Sequence, residues 1–176
     1  MSDDFARLAN QLGAFANAVS DRIRTAVAER TELGGEAAAA LIVIGHETGL
    51  SIDQLGKVLK LSHPGAVRVV DRLVAAGLAE RKVSAHDRRV QALHLTEQGE
   101  RERTTVLAGR QAVLAALLEH LPAEDLPILE RVLEKMLVSV PCDAISAMGV
   151  CRYCDHDACK NCPMDRLGTV ADTARR

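Results

Sequence analysis

Aromatic side chains are almost missing from this chain. Phe5, Phe15 and Tyr153 are the whole set among 176 residues, and there is no Trp. A platform that stacks the bases of a single strand is therefore excluded. Long apolar runs are missing too. The longest, Ala37 to Ile44, has eight residues, against roughly 20 for a membrane span, so no membrane partner is expected. The N-terminus, Met1 to Phe5, is acidic and lacks a basic segment leading into an apolar core. No secretory signal is read there, and a cytoplasmic location is expected. No Gly-rich phosphate loop, nucleophile elbow or pair of catalytic acids appears, which leaves hydrolytic and nucleotide-dependent enzymes without support. The expectation is a protein that is not an enzyme.

Apolar residues make up 48% and charged residues 26%, a globular composition. The length allows one compact domain, or a small domain with dimerisation arms. Phe5, Leu8, Leu12, Phe15, Val19, Ile23 and Val27 recur in steps of three and four, predicting an amphipathic helix. Residues 36–47 are Ala-rich and nearly all apolar, a buried helix that Gly49 ends. Ser51 and Gln54 form a capping box for a short helix over 52–59. Ser62 caps a second helix over about 63–76, with Pro64 in its first turn and Gly77 at its end. The helical period then fails. Residues 78–83 and 90–95 read as strands, with the polar segment 84–89 as the hairpin tip. Thr96 caps a long helix to about His120. After Pro122, a last helix runs over about 123–138, with Pro127 tolerable only in its first turn.

The fold class is therefore mostly α with a small β-hairpin wing: a winged helix–turn–helix plus a helical dimerisation domain. The boundaries read as a dimerisation helix at 1–34, a winged DNA-binding domain at 35–95, dimerisation helices at 96–140 and a Cys-rich tail at 141–176. In a winged module the second helix enters the major groove and the wing tip reaches sugar-phosphate or the minor groove. Local charge agrees. Between Lys57 and Gln91 stand eight basic residues and three acidic ones, a balance of +5, while the remainder carries -7. The net charge of -2 argues against a nucleic-acid-coating tail, yet it hides a basic module in an acidic scaffold. Phosphate attraction needs only that local field.

Val70-Asp71-Arg72-Leu73, Ala76-Gly77-Leu78, Glu80-Arg81, Asp87-Arg88-Arg89 and Leu95-Thr96-Glu97-Gln98-Gly99 resemble, in order and spacing, the MarR family of winged-helix regulators over about residues 5–140. The resemblance implies an obligate homodimer, built from the first and last two helices, on a pseudo-palindromic double-stranded DNA operator. It implies a repressor. It places Ser62, His63, Pro64, Gly65 and Arg68 where the recognition helix meets bases and phosphates. Arg68 would read guanine through two hydrogen bonds, worth about 1–3 kcal/mol of discrimination. Arg89 matches the wing arginine of the minor groove, with Asp87 orienting it. Arg72 reads as a partner of a nearby carboxylate or as a phosphate contact, and Arg81 and Arg88 as phosphate contacts or solvated charges. The resemblance also implies a small-molecule effector between the dimerisation helices and the DNA module. The scarcity of aromatics disfavours a stacking pocket there and permits an aliphatic one.

All five cysteines lie in the last 35 residues, where the chain departs from the basic family pattern. Cys151-Arg152-Tyr153-Cys154 and Cys159-Lys160-Asn161-Cys162 are two C-x2-C pairs, enough for a tetrahedral four-sulfur site. Zinc is the favoured ion. The alternative is an iron–sulfur cluster, because Cys162 precedes Pro163. Cys142 and His156 stand as alternative ligands, with Arg152, Lys160 and Arg166 as countercharges and Asp155, Asp157 and Asp165 as a solvated acidic surround. His46, His86, His94 and His120 read as ordinary scattered histidines. The composite expectation is a metal- or redox-responsive regulator, the tail acting on the dimerisation helix it follows. Two rivals remain: a small-molecule-responsive repressor with purely structural zinc, and a dithiol redox protein.

Overall fold

The computed structural model describes residues 3–83 and 91–170. Its helices are α1 (Asp3–Ala28), α2 (Gly35–His46), α3 (Ile52–Leu59), α4 (His63–Ala75), α5 (Glu97–Leu118), α6 (Leu126–Leu137) and α7 (Ala144–Val150). The two strands are β1 (Ala79–Val83) and β2 (Gln91–Leu95). The strands pair antiparallel with Ala79 opposite Leu95 and Val83 opposite Gln91. The tip that joins them, including Asp87, Arg88 and Arg89, lies outside the described residues.

Helix α2 is the centre. Every residue from Ala37 to Ile44 is buried, as expected of an apolar run with no polar face. Helices α1, α3, α4 and α5 and strand β2 all pack on it. The capping box at Ser51 forms: Ser51 Oγ accepts from Gln54 N–H, and Gln54 Oε1 accepts from Ser51 N–H. The α3–α4 turn is tight because both helices present small residues where they cross. A Cβ on Gly56 would stand 3.2 Å from Ala66 Cβ.

Helix α4 ends where Leu78 N–H bonds Leu73 O and Gly77 N–H bonds Val74 O, a turn that puts Gly77 at φ 69°. Glycine holds that left-handed position without a Cβ penalty. Cover along β1 is confined to its start. Ala79 is buried while Arg81, Lys82 and Val83 are exposed. The outer edge of β2 is also occupied: Gly49 N–H donates to Leu93 O, and Leu93 N–H donates to Leu50 O.

The tail begins with a short helix that the Cys-rich reading did not include. Ala144, Ala147, Met148 and Cys151 recur at helical spacing and all are buried. They form one face of α7, which packs on α3 so closely that a Cβ on Gly149 would lie 3.0 Å from Val58 O. Asp143 caps α7 through Ser146. Further on, Val170 enters the main core at 1% exposure. Its N–H donates to Glu47 Oε1, and its carbonyl accepts from Gln54 Nε2.

The wing is seated on α5 at Gly99. A Cβ there would stand 1.9 Å from Leu78 O and 3.3 Å from Leu95 Cβ. Backbone cannot yield as a flexible side chain can. Gly99→Ala is expected to destabilise the fold by about 1–3 kcal/mol, read as a lower midpoint in urea denaturation. An unchanged midpoint would show that α5 does not hold the wing base this way.

Candidate nucleic-acid interface and cysteine centre

Helix α4 has a buried side made by Ala66, Val70 and Leu73 and an outer side carrying Arg68, Asp71 and Arg72. Ser62, His63 and Pro64 are exposed at its N-terminus, and Gly65 is half-buried. Ser62 Oγ accepts from Gly65 N–H at 3.3 Å. Pro64 sits in the first turn, where its missing N–H costs nothing. The first turn thus presents backbone N–H groups and the positive end of the helix dipole outward, a favourable place for phosphate.

The basic side chains separate into two groups. Arg68 is exposed and makes no ion pair among the described residues. Arg72 instead donates to the carbonyl of Glu32 at 2.6 Å, tying α4 to the α1–α2 turn. A backbone carbonyl as partner leaves no mark in sequence spacing. Arg81 pairs with Asp71 at 2.5 Å. His63 Nδ1 lies 2.6 Å from Asp53 Oδ1, joining the start of α4 to α3. That contact supplies a local reason for a histidine at this helix terminus.

The four later cysteines gather at the end of α7 and the loop beyond. Cys151, buried, forms a small apolar cluster with Ala147 and Met164, against which Cys154 and Cys162 pack. The two C-x2-C pairs act on one another electrostatically. The Cys151 thiol is hydrogen-bonded to Cys154, which holds Cys154 down to about 6; the charge of Arg110 adds to that. Cys151 is pushed up, first by the same hydrogen bond, then by burial, and further by Cys154, Cys162 and Cys159. Cys159 is pushed up to about 11, first by burial, then by Cys162 and Cys154. Such coupled thiols have the donor chemistry of a soft metal sphere. Among the described residues, no group of three or more His, Cys, Asp or Glu side chains stands in metal-holding geometry. Cys142 is exposed at the start of α7, its Sγ 3.7 Å from Ser146 Oγ.

His156 lies within the same loop. Its ring stacks on His46, the last residue of α2, with centroids 3.6 Å apart and planes 10° from parallel. Burial first, then His46, hold it down to about 4, so the ring is neutral. Its Nε2 is buried without a hydrogen-bond partner. Both rings line a cavity of about 280 Å³ together with Cys151, Cys162 and Met164. His46 is thus not an ordinary scattered histidine, a role that a contact 110 positions away in sequence could not announce.

The countercharges also differ from expectation. Arg152 donates to Gly149 O and lies 6.0 Å from the Tyr153 ring centre. Arg166 donates to Val138 O. The cations that act on this region come from α5: Arg110 on Cys154 and Arg103 on His156. A second cavity of about 470 Å³ lies between α1, α2, the end of α3 and the tail, lined by Ile23, Arg24, Ala39, Leu59, Lys60 and Tyr153, among others. The Tyr153 hydroxyl donates to Gly35 O beside it.

Residues 32–90 match the model of the MarR family. The chain is 29% identical over 112 residues to the HTH-type transcriptional repressor MdtR of Bacillus subtilis (strain 168), covering 62% of this chain and 72% of that one. It resembles the structure of a MarR family protein from Bacillus stearothermophilus with a TM-score of 0.69 and 28% identity, over 77% of this chain and 95% of that chain. It shares its fold with Streptococcus pneumoniae FabT, solved in complex with DNA, at a TM-score of 0.62 and 21% identity, over 75% and 94% of the two chains. The winged helix–turn–helix described above is a MarR family domain.

Proposed function

We propose that this protein is a homodimeric MarR-type transcription regulator, a repressor, that binds a pseudo-palindromic duplex operator and senses through zinc held by Cys151, Cys154, Cys159 and Cys162. The outer face of α4 carries the DNA reading: an exposed, uncommitted Arg68 one turn from an open, Ser-capped helix N-terminus. The homodimer is supported by two unpaired apolar faces. Phe5, Leu8 and Phe15 of α1 are 57%, 62% and 58% exposed, and Ile128, Val132 and Leu133 of α6 are also exposed. Faces of this size on one chain call for a partner surface, and a second copy supplies a self-complementary one.

The zinc reading rests on four mutually acting thiols with one already drawn toward thiolate. Bound zinc would supply a fixed tetrahedral clasp and no redox step. The route from tail to DNA is shorter than one through dimer spacing alone. The tail reaches α3 through α7 and through the Gln54–Val170 bond, and α3 carries α4. Half-sites lie about one helical turn apart, so a small change in α4 placement changes affinity. A dithiol redox protein has less support, since the described sheet is a two-stranded antiparallel hairpin rather than a βαβ unit.

A second reading is favoured by the 470 Å³ cavity. Its apolar lining with Arg24 and Lys60 at hand suits an aliphatic carboxylate effector, the zinc then being structural.

In a shift assay on a duplex that the wild-type protein selects from a random pool, affinity is expected to fall steeply with salt. Arg68→Ala is expected to cost about 1–3 kcal/mol and to relax one base position. Anaerobic purification with elemental analysis and an absorption spectrum identifies the metal. Cys151→Ser and Cys159→Ser are expected to lose it and to shift operator affinity. Unchanged metal content and affinity in both variants would end the sensor reading. Octanoate, used as a probe of the second reading, should raise Tm if the larger cavity is an effector site.

A further inference from the structure

The face of α5 that looks inward carries Gly99, Arg103, Val106 and Arg110, spaced by four, three and four residues so that they share one stripe. Its two ends face different parts of the molecule. Gly99 meets Leu78 and Leu95 at the base of the wing. Arg110 acts on Cys154. Between them, Arg103 is only 12% exposed along its side chain, low for an arginine, with Val106 fully buried one turn on.

Arg103 is laid across α2 in a slot made by Gly45. A Cβ on Gly45 would stand 2.5 Å from Arg103 Cδ, 2.8 Å from its Nε and 2.9 Å from Leu95 Cδ1. The same slot therefore holds the arginine stem and the last residue of β2. Beyond the slot the guanidinium reaches Glu100 of its own helix at 3.6 Å and Asp157 of the cysteine loop at 3.9 Å. Its Nε is buried and has no hydrogen-bond partner. His46, the residue after Gly45, stacks on His156, so the loop is docked on α2 and on α5 at adjacent points.

We propose that Arg103 is the positioning residue through which the cysteine loop governs the base of the wing. Its stem shares the glycine slot with Leu95 of the wing base, and its head reaches Asp157 of the loop. The contacts at its head are long ones, between 3.6 and 4 Å, so they tighten or slacken with small movements of the loop. Were the four thiolates of Cys151, Cys154, Cys159 and Cys162 to hold a dication, the site would carry a net charge of -2 and favour a loop position nearer the arginines of α5. A tightened head pulls the stem against Leu95 and fixes β2, and with it the wing. This coupling rests on the cysteine region being a metal-binding sensor; the docking role of Arg103 does not.

Two measurements separate those claims. The first is amide hydrogen exchange on wild type, Arg103→Gln and Arg103→Lys, with no metal needed. Arg103→Gln is expected to speed exchange together in the loop around Asp157 and in β2, while amides in α1 and α6 stay as in wild type. Exposed Asp157→Asn, which leaves the core untouched, should reproduce the loop effect and part of the β2 effect. Exchange in Arg103→Gln that rises in one segment only, or in neither, overturns the proposal.

The second compares duplex affinity of zinc-loaded and zinc-stripped protein, with zinc content measured alongside. If wild type changes affinity about tenfold, an ordinary size for coupling between two sites, Arg103→Gln should reduce that to within about twofold at unchanged zinc content. An intact ratio in Arg103→Gln overturns the coupling. A wild type that binds no zinc, or whose affinity ignores zinc, overturns the sensor reading instead, and the exchange result then decides the docking role alone.

Discussion

The complete burial of α2 is the constraint to which the other elements answer. Eight consecutive residues, Ala37 to Ile44, lie inside, so the helix has no solvent face and must be covered all round. Its large residues, Leu41, Ile42, Val43 and Ile44, each contribute about 1.5–3 kcal/mol when fully buried. The alanines before them do something different. Having no bulk beyond Cβ, they let neighbouring backbones come close, and α1, α3, α4, α5 and β2 all do. Helices α3 and α4 therefore hang on a rod shared with α5 and with the tail. A displacement at one end of α2 has no solvent gap in which to be absorbed, because packed interiors transmit strain.

Much of this architecture was legible in residue order. Wherever one local rule decided an element, the reading agreed with the structure: the capping box at Ser51, the Ser62 cap with Pro64 behind it, and Gly77 after α4. These signals work because each concerns groups within four residues of one another. The strands were less clear for an equally physical reason. Along the described part of the wing, β1 is buried at Ala79 and exposed from Arg81 to Val83. Alternation is a record of one covered face, and here that face ends after one or two residues.

The cysteine region was legible in its chemistry and illegible in its placement. Two C-x2-C pairs announce coupled thiols at once. The same cysteines obscured α7, whose buried face of Ala144, Ala147, Met148 and Cys151 uses two alanines, a methionine and a thiol in place of the usual Leu and Val. What no spacing could reveal is which distant surface the tail covers. Tyr153 bonds Gly35, His156 stacks on His46, and Val170 bonds Glu47 and Gln54. All are long-range pairings, and each partner looks unremarkable in its own neighbourhood. The basic residues misled in the same way. Arg152 and Arg166, adjacent in sequence to the thiols, spend their charge on backbone carbonyls, whereas Arg103 and Arg110 arrive from α5.

These placements bear on how a tail could influence DNA at all. A cysteine cluster on a free extension would have no mechanical purchase on the reading helix. Here Gln54 has two tasks: its Oε1 caps α3, and its Nε2 holds Val170 of the tail. The cap that starts the first helix of the helix–turn–helix is thus also a tail contact. Asp53, next to it, pairs with His63 at the first position of α4. Tail, cap, and recognition helix are linked by two adjacent side chains, with no loop between them. Losing a cap costs a helix about 0.5–2 kcal/mol, the same order as the 1–3 kcal/mol typical of coupling between two sites. The Gln54 contacts thus join the tail to the start of α3, and the Asp53–His63 contact joins α3 to the start of α4.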